Sequence, residues 1–128
     1  MKTSPELPGR APDIMVIAKR NFSRLRPMFL DGPADVVVEI DGPESTLVNI
    51  VRKFEEYEQG GVREFWLIDP VRRRAEFYRR GYDGRFRLHP IGPDAVYRSL
   101  VMKGFWLNVE WLWERPPVTA IVKAWGIM

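Results

Sequence analysis

The sequence predicts an α/β domain with a mixed sheet, one βαβ crossover helix and a C-terminal antiparallel hairpin. Three observations predict it. Asp35 to Ile40 is a β-branched run closed by Asp41-Gly42-Pro43. Leu47, Ile50, Val51, Phe54 and Tyr57 then repeat at helical spacing, and Glu64 to Asp69 is a second apolar strand stopped by Asp69-Pro70. Strand, helix and strand in this order form a crossover, so strands 35–40 and 64–69 are expected to run parallel. With 128 residues, 45% of them apolar, the chain is long enough and apolar enough for a single domain over residues 1–128.

In chain order, Pro5, Pro8 and Gly9 mark an extended lead-in, and Ile14 to Ala18 reads as a strand. Lys19 to Leu30 is mixed and polar, a loop or short helix ending at Asp31-Gly32-Pro33. The helix opens near Ser45, a suitable N-cap, and Gly60-Gly61 stops it. Ala75 to Arg80 and Arg85 to His89 flank Gly81-Tyr82-Asp83-Gly84 as a hairpin. Val96 to Leu100 and Phe105 to Val109 read as shorter strands, while Trp111 to Met128 carries no clear pattern.

Composition excludes several chemistries. Cysteine is absent, so there is no disulfide, thiolate nucleophile or cysteine metal site, which fits a cytoplasmic protein. No apolar run is long enough for a bilayer, the first residues carry no apolar signal stretch, and no membrane association is expected. His89 is the only histidine and reads as a surface residue, which removes histidine triads and multi-histidine metal sites. Neither P-loop nor Rossmann glycine spacing occurs, so no nucleotide cofactor is expected. The net charge of +3 leans weakly toward polyanions, and arginine supplies 15 of the 20 basic residues. Arg72, Arg73, Arg74, Arg85 and Arg87 fall in one short stretch as candidate nucleic-acid contacts, since the guanidinium fork suits phosphate. A solvated hairpin face is the simpler reading of the same residues. Trp66, Trp106, Trp111 and Trp113 read as core or interface.

Strand parity singles out the acidic residues. Asp35, Val37, Glu39 and Asp41 share one face of their strand, with Val36, Val38 and Ile40 opposite. Asp35 and Asp41 read as strand ends in solvent. Glu39 interrupts a β-branched run, and burying a carboxylate is costly unless a charge or metal compensates it. Asp13 precedes the first strand on the face of Met15 and Ile17, so pairing of the two strands would let Asp13 and Glu39 converge on one ion. Hard oxygen ligands suit magnesium or manganese. Lys53 lies at the edge of the helical apolar stripe beside Tyr57. There its stem can lie on the sheet with its ammonium directed at the strand ends, or it can be an ordinary surface lysine.

These residues also carry a family resemblance. Gly9-Arg10-Ala11-Pro12-Asp13, Gly32 to Ile40, Pro43-Glu44-Ser45, Lys53-Phe54-Glu55-Glu56-Tyr57-Glu58 and Gly61 to Pro70 resemble the Uma-type restriction endonucleases of the PD-(D/E)XK nuclease superfamily, over about residues 9–113. The resemblance implies a restriction-endonuclease-like core and magnesium-dependent hydrolysis of DNA phosphodiesters. It matches Asp13 and Glu39 to the family's metal-binding acids, with the Ile40 carbonyl as a further ligand. It matches Lys53 to the catalytic lysine, moved here from the superfamily's usual position, which is Asp41, into the helix. Relatives carry a further N-terminal segment, so the chain reads as a shortened member whose exposed sheet edge favours a homodimer. Asp41-Gly42 and Asn49 also depart from the family pattern. A catalytically impaired module that binds DNA or dimerises is the alternative reading.

Overall fold

The computed structural model describes residues 1–2, 11–42 and 45–127; the lead-in with Pro5, Pro8 and Gly9, and Pro43-Glu44, lie outside them. A five-stranded sheet has the order β1 (Ile14–Val16), β2 (Val36–Ile40), β3 (Glu64–Asp69), β4 (Arg74–Arg80), β5 (Phe86–Leu88). β2 and β3 are parallel, as the crossover requires, and the other neighbouring pairs are antiparallel. The sheet is therefore mixed. β6 (Val96–Arg98) and β7 (Trp106–Asn108) form a separate antiparallel pair. The expected loop or short helix after β1 is a 3₁₀ helix, Lys19–Arg24.

Alternation along the strands explains the two-sided core. Val37 and Phe65 face the crossover helix α1 (Leu47–Gly60) and pack with Tyr57, Val62, Leu30 and Phe86. Val36, Val38, Trp66 and Ile68 face the other way and pack with Phe77, Tyr97, Leu107 and Val109. A parallel strand covered on both faces has no solvent side, which is why β2 reads as an unbroken Val-Val-Val run.

Helix α1 starts one residue later than expected. Thr46, not Ser45, is the N-cap: its backbone is extended and its hydroxyl accepts the Asn49 N–H at 3.2 Å. Thr46→Ala is expected to cost about 1 kcal/mol of stability, read as a lowered urea midpoint. Gly61 ends the helix in the left-handed conformation at φ 94°, where a β-carbon would be strained. The C-terminal stretch that had no clear pattern forms two short helices, α2 (Trp111–Glu114) and α3 (Val118–Ala124), tied to β7 by the Trp125 indole donating to the Trp106 carbonyl at 2.7 Å. Among the described residues no helix is long and apolar enough to cross a membrane.

Two expectations are corrected. Asp35 is buried at 2% exposure rather than solvated. It accepts the Ala18 N–H at 2.7 Å and the Asn21 side-chain amide at 2.8 Å, so it anchors the 3₁₀ helix to β2. His89 is half-buried against the Tyr97 ring. Burial, then the nearby Arg79 charge, push its imidazole below the usual histidine range. Three of the four tryptophans belong to the core: Trp66 is buried, with Trp111 and Trp113 packed around its cluster.

Candidate functional site

The site is built at the C-terminal end of β2. Side chains on the α1 side of this strand alternate Val37, Glu39, and Glu39 is 4% exposed although it is charged. Its burial is compensated from the helix above. Lys53 and Tyr57 lie one turn apart on α1 and therefore on one face. The Lys53 ammonium meets Glu39 Oε2 at 3.2 Å, and the Tyr57 hydroxyl donates to Oε1 at 2.6 Å. Each carboxylate oxygen thus has its own partner. Of the two positions open to Lys53 on sequence grounds, the structure shows the inward one.

Asp13 comes to the same place from the edge strand. The β1–β2 register pairs Ile14 with Val38, so one residue further Asp13 stands beside Glu39. Asp13 lies in a bend, and its Oδ2 accepts the Ile40 N–H at 2.7 Å. The carboxylate thereby replaces the ladder partner that β1 no longer offers to Ile40. The Ile40 carbonyl can be placed as well. The Asp41 N–H donates to Ile68 on β3 at 2.7 Å, and a trans peptide sends its C=O the opposite way, toward the Asp13 side. Asp13, Glu39, the Ile40 carbonyl and Lys53 therefore gather at one strand end. Among the described residues no three acidic, histidine or cysteine side chains cluster as ready-made cation ligands. The oxygens here come from two carboxylates and one main-chain group.

The arginine candidates do not form one surface. Arg72 and Arg73 occupy the β3–β4 turn and Arg74 opens β4, at the same end of the sheet as Ile40. Arg72 pairs with Asp69 at 3.5 Å and Arg74 with Glu76 at 3.8 Å. A cleft of about 260 Å³ opens there, lined by Asp41, Gly42, Ser45, Asp69, Val71 and Arg72. Asp41 is thus half-buried at its wall and not a solvated strand end. Arg85 and Arg87 lie elsewhere. Arg87 pairs with Arg79, which in turn faces Glu64 at the start of β3. That is three residues, or about 10 Å, back along the strand from the level of Glu39, and three strands across. Arg87 is also committed to Asp83 at 2.8 Å, which holds the Asp83 carboxyl well below the usual carboxylate range. The seven residues of β4 separate the two groups, so arginines that are near in sequence lie at opposite ends of the sheet.

Tyr57 is the site residue that sequence reasoning missed. Its place in the apolar stripe marked it as core, and its ring is core. The available signal was its position four residues after Lys53, which put its hydroxyl on the same strand end.

No curated protein matches this chain. A solved structure that does resemble it is that of a putative nuclease belonging to DUF820 from Anabaena variabilis, with a TM-score of 0.63 at 20% identity over 82% of this chain. The match takes in 60% of that relative's length, so the chain spans less than two thirds of it. The likeness establishes a shared mixed α/β fold. The model of the Uma2 family, described as "Putative restriction endonuclease", matches residues 2–110, and the chain belongs to that family.

Proposed function

We infer that this protein is a metal-dependent nuclease that hydrolyses DNA phosphodiester bonds at the end of β2. One observation carries the reading: Glu39, buried and charged, is met by Lys53 from the helix, while Asp13 reaches the next residue of the same strand. The donor chemistry fits a hard divalent cation. All the available ligands are oxygens, and magnesium typically takes one or two carboxylates and completes its shell with waters and substrate phosphate. Asp13, Glu39 and the Ile40 carbonyl would hold magnesium or manganese. The ion would polarise the scissile phosphate and lower the pKa of a water, so that the water loses a proton to solvent and attacks as hydroxide.

The chain's own residues do the rest. Lys53 stands at the rim with its side chain 32% exposed, where it reaches a phosphate and offsets the charge that develops as the P–O bond breaks. Asp13, fixed by its bond to the Ile40 amide, holds the edge of the site at a constant distance from β2. Arg72, Arg73 and Arg74 lie on the approach to the same end and are the arginines suited to the DNA backbone. Arg87 lies at the other end of β4, paired with Asp83, and is not part of that approach.

Nicking of supercoiled plasmid with magnesium tests this reading. The native chain is expected to convert plasmid to open circles. Asp13→Ala and Lys53→Ala are each expected to slow the conversion by about 100-fold or more, the scale of a lost charged catalytic group. Equal nicking by all three proteins would refute the assigned site, and no nicking by any of them would favour a module that only binds DNA or dimerises.

A further inference from the structure

We propose that Tyr57 and Lys53 divide the Glu39 carboxylate into a fixed oxygen and an exchangeable one, with Lys53 as a built-in counter-ion that yields Oε2 to the divalent cation. This rests on the nuclease reading and adds a positioning residue and an order of events to it. The two partners differ in mobility. Tyr57 is 1% exposed and packs on Phe65 with ring centroids 5.4 Å apart, so its hydroxyl cannot follow a carboxylate that turns. Its bond to Oε1 fixes the Glu39 side chain in one orientation. Lys53 is a third exposed and has four rotatable side-chain bonds, so it can leave Oε2 for solvent without opening the core.

Charge balance supplies the reason for the arrangement. A buried carboxylate without a cation is costly, and Lys53 supplies one in the free protein. An ammonium and a dication on one carboxylate oxygen repel strongly at such short range, so occupancy of Oε2 is competitive. Release of Lys53 then coincides with metal binding and delivers its charge to the phosphate when the site is assembled. Tyr57 acts through Glu39 throughout and touches no substrate.

Manganese affinity of the DNA-free chain tests the proposal, by titration calorimetry and by the electron paramagnetic resonance signal of free manganese. Lys53→Met is expected to bind manganese at least about fivefold more tightly than the native chain, because the competing charge is gone. Tyr57→Phe is expected to bind about tenfold more weakly, the usual scale for losing a hydrogen bond to a ligand. Should Tyr57→Phe fail to fold, Lys53→Met alone decides the matter. Equal or weaker binding by Lys53→Met would overturn the proposal and leave the metal site standing. Indistinguishable titrations of the native chain and Glu39→Gln would overturn the nuclease reading beneath it.

Discussion

Glu64→Leu is expected to remove most of the stability of the fold. Glu64 is fully buried at the start of β3, and four donors converge on it. The Trp66 indole and the Ser99 hydroxyl reach Oε2 at 2.8 and 2.9 Å, and the Leu100 and Val101 N–H groups reach Oε1 at 2.8 and 3.2 Å. The side chain thus ties the five-stranded sheet to the turn between β6 and β7. Leucine fills similar volume but leaves all four donors without an acceptor, two of them main-chain amides. Each buried unsatisfied group costs about 1–3 kcal/mol, so a loss of about 4 kcal/mol or more is expected after relaxation. Against a typical total of about 5–15 kcal/mol, that loss would bring the protein close to unfolding. Urea denaturation measures it directly. A change below about 1 kcal/mol would show that the four bonds do not anchor the second sheet.

Glu64 also shows where the sequence stops being informative. Its role depends on residues 99–101, some 35 positions later, and no local period reports that meeting. The β2–α1–β3 unit was legible because its signals are local. A β-branched run, a helical stripe and a second apolar run each declare their own geometry, and chirality and length fix the crossover. Glu39 and Asp13 were legible because strand parity follows from sequence alone. Parity gave the face of Asp35 correctly but not its burial, which comes from a main-chain amide and an asparagine on the 3₁₀ helix. The arginine cluster was misleading for a related reason. Arg74 and Arg87 are close in sequence, yet the seven residues of β4 carry the chain from one end of the sheet to the other between them. The hydroxyl of Tyr57 was hidden because helical spacing says which ring is buried and nothing about what its polar tip meets.

The second large effect falls on Glu39. Glu39→Gln keeps the shape of the side chain and a carbonyl acceptor for the Tyr57 hydroxyl, and Lys53 is exposed enough to be solvated once its partner is gone. The fold is therefore expected to persist, with a stability change of no more than about 1 kcal/mol. The charge that would hold the cation is lost. Cleavage is expected to fall by about 1,000-fold or more, within the range attributed to removing a central electrostatic group. DNA binding in a gel shift, assigned under the proposed function to arginines away from this carboxylate, is expected to change little.

The rate of magnesium-dependent plasmid nicking by the native chain and by Glu39→Gln, measured at equal bound DNA, tests most directly whether hydrolysis takes place where Asp13, Glu39 and Lys53 gather. Nicking by the native chain that is lost in Glu39→Gln and abolished by EDTA is the predicted result. Equal nicking by both proteins, or none by the native chain at saturating magnesium, would contradict it.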